Sequence, residues 1–133
     1  MLAFLRKGKA DTGNDHVIAP VYPYFDDGVP QRTRDAAKAK ALLAEAGFAD
    51  GLTADLHFAE LQEIPELAQL LQAQAAEAGF TLNLVGESLD TFYGAQWCPP
   101  DKTPPCLGAA ELGSADYGHR ATPDVYLNAA LAT

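Results

Sequence analysis

Two stretches of the chain alternate between hydrophobic and polar positions with the period of a strand, and helical patterns lie before and between them. Leu52, Ala54, Leu56 and Phe58 alternate with Thr53, Asp55 and His57, and Leu82 and Leu84 alternate in the second stretch. Ahead of the first, Ala36, Ala39, Leu43 and Ala46 share one helical face, while Lys38, Lys40 and Glu45 are left for water. This spacing predicts a helix over residues 34–46, with Thr33 as its N-cap. Between the two strands, Ile64, Leu67, Leu70, Leu71 and Ala75 predict the buried face of a second helix, opened by Pro65 at its first position. A strand, a helix and a strand joined over this length form a βαβ unit, so the two strands are expected to be parallel.

The remaining elements are shorter. Ser88 is placed to cap a third helix carrying Leu89, Phe92, Tyr93 and Trp97. Residues 107–112 give the weakest strand signal, because alanine and glycine are poor strand formers. Thr122 is placed to cap a last helix that turns Tyr126, Leu127, Ala130 and Leu131 inward. In the N-terminal third, Gly13-Asn14-Asp15-His16 marks a turn, and Pro20, Pro23 and Pro30 predict an extended stretch. A quasi-repeat joins the two main helices: Ala44-Glu45-Ala46-Gly47-Phe48 and Ala76-Glu77-Ala78-Gly79-Phe80 each end an alanine-rich helix at a glycine. That glycine stands where a helix ends in a residue with left-handed backbone. The whole reads as an α/β sandwich lobe, a parallel βαβ unit with flanking helices.

Composition narrows the function. At 133 residues there is room for one domain with a modest core, and 48% hydrophobic with 20% charged residues is ordinary for a globular protein. Eighteen acidic against nine basic residues leave a formal charge of -9. That balance argues against nucleic acid, which needs clustered Lys and Arg to displace counterions. The first nine residues do not read as an export signal, since their charges follow the apolar run. No apolar stretch reaches the length of a membrane span. By itself the chain reads as cytoplasmic.

Cys98 and Cys106 bracket a proline-rich loop that cannot be helical. They read as a disulfide staple suited to an oxidising compartment, with two free thiols or a partial metal site as alternatives. No second Cys/His pair accompanies them, so neither a metal nor another cofactor is expected.

The candidate chemistry is concentrated in residues 112–127. Small residues lead from Leu112-Gly113-Ser114 into Ala115-Asp116-Tyr117, then a polar loop with His119 and Arg120, then a helix start at Thr122-Pro123-Asp124. An acid between a strand and a helix stands where α/β folds bind ligands, at the carboxyl ends of the strands. From the residues alone, Asp116 reads first as an Asx-type turn residue at the strand end, ahead of the ligand-facing role. Tyr117 either lines a cleft or packs in the core, and His119 and Arg120 either meet an acidic ligand group or remain solvated. His16 and His57 read as structural. Catalysis has little support: Ser114 lacks an elbow signature, and no phosphate loop or dinucleotide fingerprint is present.

Three segments, in order, resemble the periplasmic substrate-binding proteins of ABC importers, in the oligopeptide and dipeptide class known as extracellular solute-binding family 5. Gly13-Asn14-Asp15-His16-Val17-Ile18-Ala19-Pro20 with Tyr22-Pro23-Tyr24 looks like the glycine- and proline-rich crossing before the first C-lobe helix. Residues 37–48 are similar to the family's most recognisable helix, and the Ala-Asp-Tyr…Pro…Tyr-Leu pattern around Asp116 is the third match. The resemblance implies a lobe of a type II periplasmic-binding-protein-like fold, with residues 1–133 forming one domain within the C-terminal lobe and the N-terminal lobe and hinge absent. It implies that Asp116 pairs with the α-amino group of a peptide or similar solute, beside Tyr117, His119 and Arg120. It also implies periplasmic export, and a permease and an ATPase as partners of the full-length protein. A lobe taken alone is expected to bind weakly, and the alternative is an interaction domain that self-associates through the uncovered lobe face. Relatives commonly carry Trp three residues before the acid, where this chain has Gly113.

Overall fold

A computed structural model describes Ile18, residues 20–96, Ala110 and residues 112–114. Its described residues fall into two compact units. One holds residues 34–96, Ala110 and residues 112–114; the other holds Ile18 and residues 20–33.

The first unit is built on a parallel βαβ unit, as the alternation predicts. Helix α1 (Ala36–Glu45) leads to strand β1 (Leu52–Ala59), helix α2 (Ile64–Ala76) and strand β2 (Phe80–Glu87). A single turn, α3 (Leu89–Thr91), runs into a π-helical turn over Phe92–Gln96, and strand β3 (Leu112–Ser114) follows. The strand order is β2-β1-β3, with both pairings parallel. Leu52 stands opposite Phe80 and Ala59 opposite Glu87 along β2, while Leu56, His57 and Phe58 stand opposite Leu112, Gly113 and Ser114.

One face of the sheet makes the core. Leu56, Phe58 and Leu82 pack against Ile64 and Ala68 of α2, with Ala54, Leu61, Leu71, Ala75, Phe80 and Leu84 around them. Each large side chain removed from water here contributes about 1.5–3 kcal/mol. The contact line of α2 runs through positions 64, 68, 71 and 75, a 3.6-residue stripe centred on Ala68, which is fully buried. Leu67 and Leu70 are half-buried at its margins. Alanine at position 68 lets the helix approach the sheet closely, so the smallest residue of the stripe marks its centre. From the same helix, Gln72 Nε2 donates to the carbonyl of Leu82 at 2.7 Å, satisfying a polar backbone group of β2.

Several boundaries differ from the sequence reading. Helix α1 starts at Ala36, capped by Asp35 and not by Thr33: the Asp35 backbone is extended, and its carboxylate accepts from Lys38 N at 2.9 Å. Its half-buried side is Ala36, Ala39 and Leu43; Ala46, as the C-cap, is exposed. Helix α2 begins at Ile64, one residue before Pro65, after a tight turn through Gln62 at φ 48°. The third helix forms only one regular turn, capped as expected by Ser88, whose Oγ accepts from Thr91 N. It then widens into the π turn that buries Phe92. The third strand lies at Leu112–Ser114 and Ala110 falls outside it; residues 107–109 and 111 of the expected strand lie outside the described residues. In the second unit the proline segment turns instead of running extended. Phe25 N donates to Tyr22 O at 3.2 Å, and Asp26 Oδ1 accepts from Gly28 N at 2.9 Å, an Asx-type closure.

Both copies of the quasi-repeat end as predicted, with Gly47 at φ 92° and Gly79 at φ 94°. At the first, Phe48 N reaches Leu43 O at 2.8 Å and Gly47 N reaches Ala44 O at 3.1 Å, the pair of bonds that closes a Schellman motif.

Candidate functional site at the carboxyl ends of the strands

The second face of the sheet is polar, and it changes character along its length. Toward the amino ends, Thr53 stands opposite Thr81 and Asp55 opposite Asn83, whose Nδ2 donates to Asp55 Oδ1 at 2.8 Å. A shallow cavity of about 260 Å³ opens there, lined by Thr53, Ala54, Asp55 and His57. Toward the carboxyl ends the same face is covered by the turn that follows β2, and its polar groups become enclosed.

At that end β2 finishes in Glu87, whose carbonyl accepts from Glu60 N at 2.9 Å and draws the two strand ends together. The Glu60 side chain crosses Gly86: a Cβ at position 86 would lie 2.8 Å from Glu60 Oε1 and 3.2 Å from its Cγ. Glycine at 86 is therefore the condition for Glu60 to lie across the sheet end. The Glu87 side chain is largely enclosed, as is His57, and His57 Nδ1 stands 3.5 Å from Glu87 Oε1. Gln96 Nε2 donates to the same oxygen at 3.0 Å. Among the described residues, Glu87 Oε2 and His57 Nδ1 are buried without a hydrogen-bond partner.

Beside this cluster, Phe92 is almost fully buried. A Cβ at Gly113 would meet Phe92 Cζ at 3.8 Å, and Phe92 Cε2 and the His57 carbonyl at 3.9 Å. The ring thus forms a floor beneath β3. Position 113 would accept a larger side chain at ordinary van der Waals distance, so the glycine is not demanded by crowding. Two residues beyond Ser114 the sequence reaches Asp116.

The structure describes β3 up to Ser114. The candidate site residues Asp116, Tyr117, His119 and Arg120 lie outside the described residues, as do Cys98 and Cys106, His16, Trp97 and the expected helix after Thr122. What it adds is the enclosed group of His57, Glu87 and Gln96. Sequence reasoning left Glu87 and Gln96 unremarked and read His57 as structural. The parallel register brings His57 and Glu87 together and the turn after β2 returns Gln96 to Glu87, and no hydrophobic spacing signals either.

Residues 1–99 match the family model of the bacterial extracellular solute-binding proteins, family 5. The chain belongs to that family. Among solved structures it is similar to the ABC transporter-associated periplasmic binding protein DppA from Helicobacter pylori, in complex with the peptide STSA. The TM-score is 0.76 at 19% identity, over 95% of this chain and 23% of that one. It is also similar to the solute-binding protein MoaA from A. tumefaciens R10, in complex with mannopinic acid. There the identity is 40% over 58% of this chain and 16% of that one, with a TM-score of 0.54. No curated protein matches. The chain therefore spans under a quarter of the length of either solved structure, and its fold is a portion of a periplasmic-binding-protein-like lobe.

Proposed function

We propose that this chain serves in solute capture for an ABC importer, and that Asp116 is its ligand-facing acid. The reading rests on one observation joined to family membership: β3 runs parallel to β1 and delivers the chain at the carboxyl end of the sheet, two residues before Asp116. Ligands of open α/β sheets bind at that end. The ligand class is a peptide or a related small solute with a free ammonium, as the peptide bound to the Helicobacter pylori neighbour supports. A receptor for many peptides must grip what they share, the backbone and the charged ends. In this reading Asp116 takes the ammonium, and Tyr117, His119 and Arg120 line the ligand beside it. The protein acts in the periplasm with a permease and an ATPase.

A charge-assisted bond shielded from water is worth about 1.5–3 kcal/mol, whereas an exposed pair falls toward about 0–1 kcal/mol. Since this chain covers 23% of the peptide-bound neighbour, it is expected to present one jaw and bind weakly. Titration of the chain with Ser-Thr-Ser-Ala, followed by amide NMR shifts, tests this. Millimolar binding is expected, weakened a few-fold when the peptide is N-acetylated, and Asp116→Asn should abolish that difference. Equal binding of both peptides by the unaltered chain would remove the ammonium role.

A further inference from the structure

We propose that Glu87 is a positioning residue for the ligand-facing end of the sheet, a role that rests on the reading of Asp116 given above. Its carboxylate joins three elements. It terminates β2, it faces His57 of β1 at 3.5 Å, and it accepts from Gln96 of the π turn at 3.0 Å. A largely enclosed carboxylate that accepts one hydrogen bond from a neutral amide, with its second oxygen buried and unpartnered among the described residues, gains little for stability alone. A buried polar group of this kind calls for an explanation in what it holds in place.

What it holds is the turn. Gln96 is the last residue of Phe92–Gln96, and the Glu87 bond anchors the far end of that turn to the strand it came from. The near end is fixed by Ser88, which caps Thr91 and begins directly after Glu87. Held at both ends, the turn carries Phe92 against the Gly113 site and the His57 carbonyl. Strand β3 spans only three residues, and β1 is its pairing partner, so the ring beneath Gly113 is a large part of what sets its height. Asp116 follows two residues after Ser114, a reach of about 7 Å at full extension. A shift of the turn is thereby passed through Phe92 to β3, the strand that leads in sequence to the acid.

Amide hydrogen exchange on the whole chain tests this without a ligand. Glu87→Ala should raise exchange at Gly113 and Ser114 about tenfold while leaving Leu56 and Leu82 near their original rates, as local opening requires. Glu87→Gln, which keeps the acceptor for Gln96, should restore protection. Gln96→Ala, which removes the same bond from the other side, should reproduce the selective loss and serves if Glu87→Ala does not fold. A uniform rise across β1, β2 and β3, or no rise at β3, would overturn the proposal. Titration with Ser-Thr-Ser-Ala and its N-acetylated form separates this role from that of Asp116. If Asp116→Asn abolishes the free-amine preference and Glu87→Ala leaves it intact, the positioning role fails and the acid stands. If Asp116→Asn preserves the preference, the reading of the acid fails whatever the exchange shows.

Discussion

Gly51 shows how one position can be constrained twice. Its φ of 100° lies in the left-handed region, and a Cβ there would fall 2.6 Å from the carbonyl oxygen of Gly79. That oxygen is already engaged by Leu52 N at 3.1 Å, the bond that starts the pairing of β1 with the approach to β2. Gly47 has a similar φ of 92° but nothing within 4 Å of its Cβ site. Gly47→Ala should therefore cost about 1–2 kcal/mol from backbone strain alone. Gly51→Ala should cost roughly 1 kcal/mol more, because the backbone must also move off a hydrogen-bonded carbonyl. Urea denaturation of the two variants checks the order, and a Gly51 variant as stable as the Gly47 variant would show that the close approach relaxes freely. The two helix-ending glycines were legible because they recur in the same five-residue frame. Gly51 was not, since its second constraint comes from a carbonyl 28 residues away.

Among the elements, legibility followed the strength of the local period. β1, α2 and β2 were readable because eight- and thirteen-residue runs average over individual exceptions. Ends were less readable, since a cap is decided by one side chain in competition with its neighbours. Thr33 and Asp35 both suit an N-cap, and the carboxylate prevails, carrying a full negative charge at the positive end of the helix. Asp35→Ala should destabilise the first unit by about 1 kcal/mol, whereas Thr33→Ala should change it by less than about 0.5 kcal/mol. Paired thermal melts decide between them, and the reverse order would restore Thr33 as the cap. β3 was legible only at Leu112 and its run to Ser114 was not, because three residues are too few for a period. The cluster of His57, Glu87 and Gln96 was illegible for a different reason: the sheet register brings His57 of β1 beside Glu87 of β2, and the turn after β2 folds Gln96 back onto Glu87.

For the whole molecule, the feature that sequence conveyed most directly is charge. Eighteen acidic residues oppose nine basic ones, a formal charge of -9. Arg34 bridges Glu77 at 2.6 Å, and the two side chains are 51% and 61% exposed. A pair so exposed contributes about 0–1 kcal/mol. Repulsion among the remaining carboxylates opposes the compact state and acts over a range set by the Debye length, about 30 Å at 0.01 M salt and about 8 Å at 0.15 M. Salt therefore weakens the repulsion, which is long-ranged and many-bodied, more than it weakens a short-range pair such as this one. Raising NaCl from about 0.01 M to about 0.15 M should lift Tm by about 2–5 °C, the equivalent of roughly 1 kcal/mol for a chain of this size. KCl at equal ionic strength should act alike, which separates screening from specific ion effects. Scanning calorimetry at the two salt levels is the measurement. A fall in Tm would mean that attractive pairs outweigh the net charge, and the acidic excess would then have to be balanced by contacts within the folded chain.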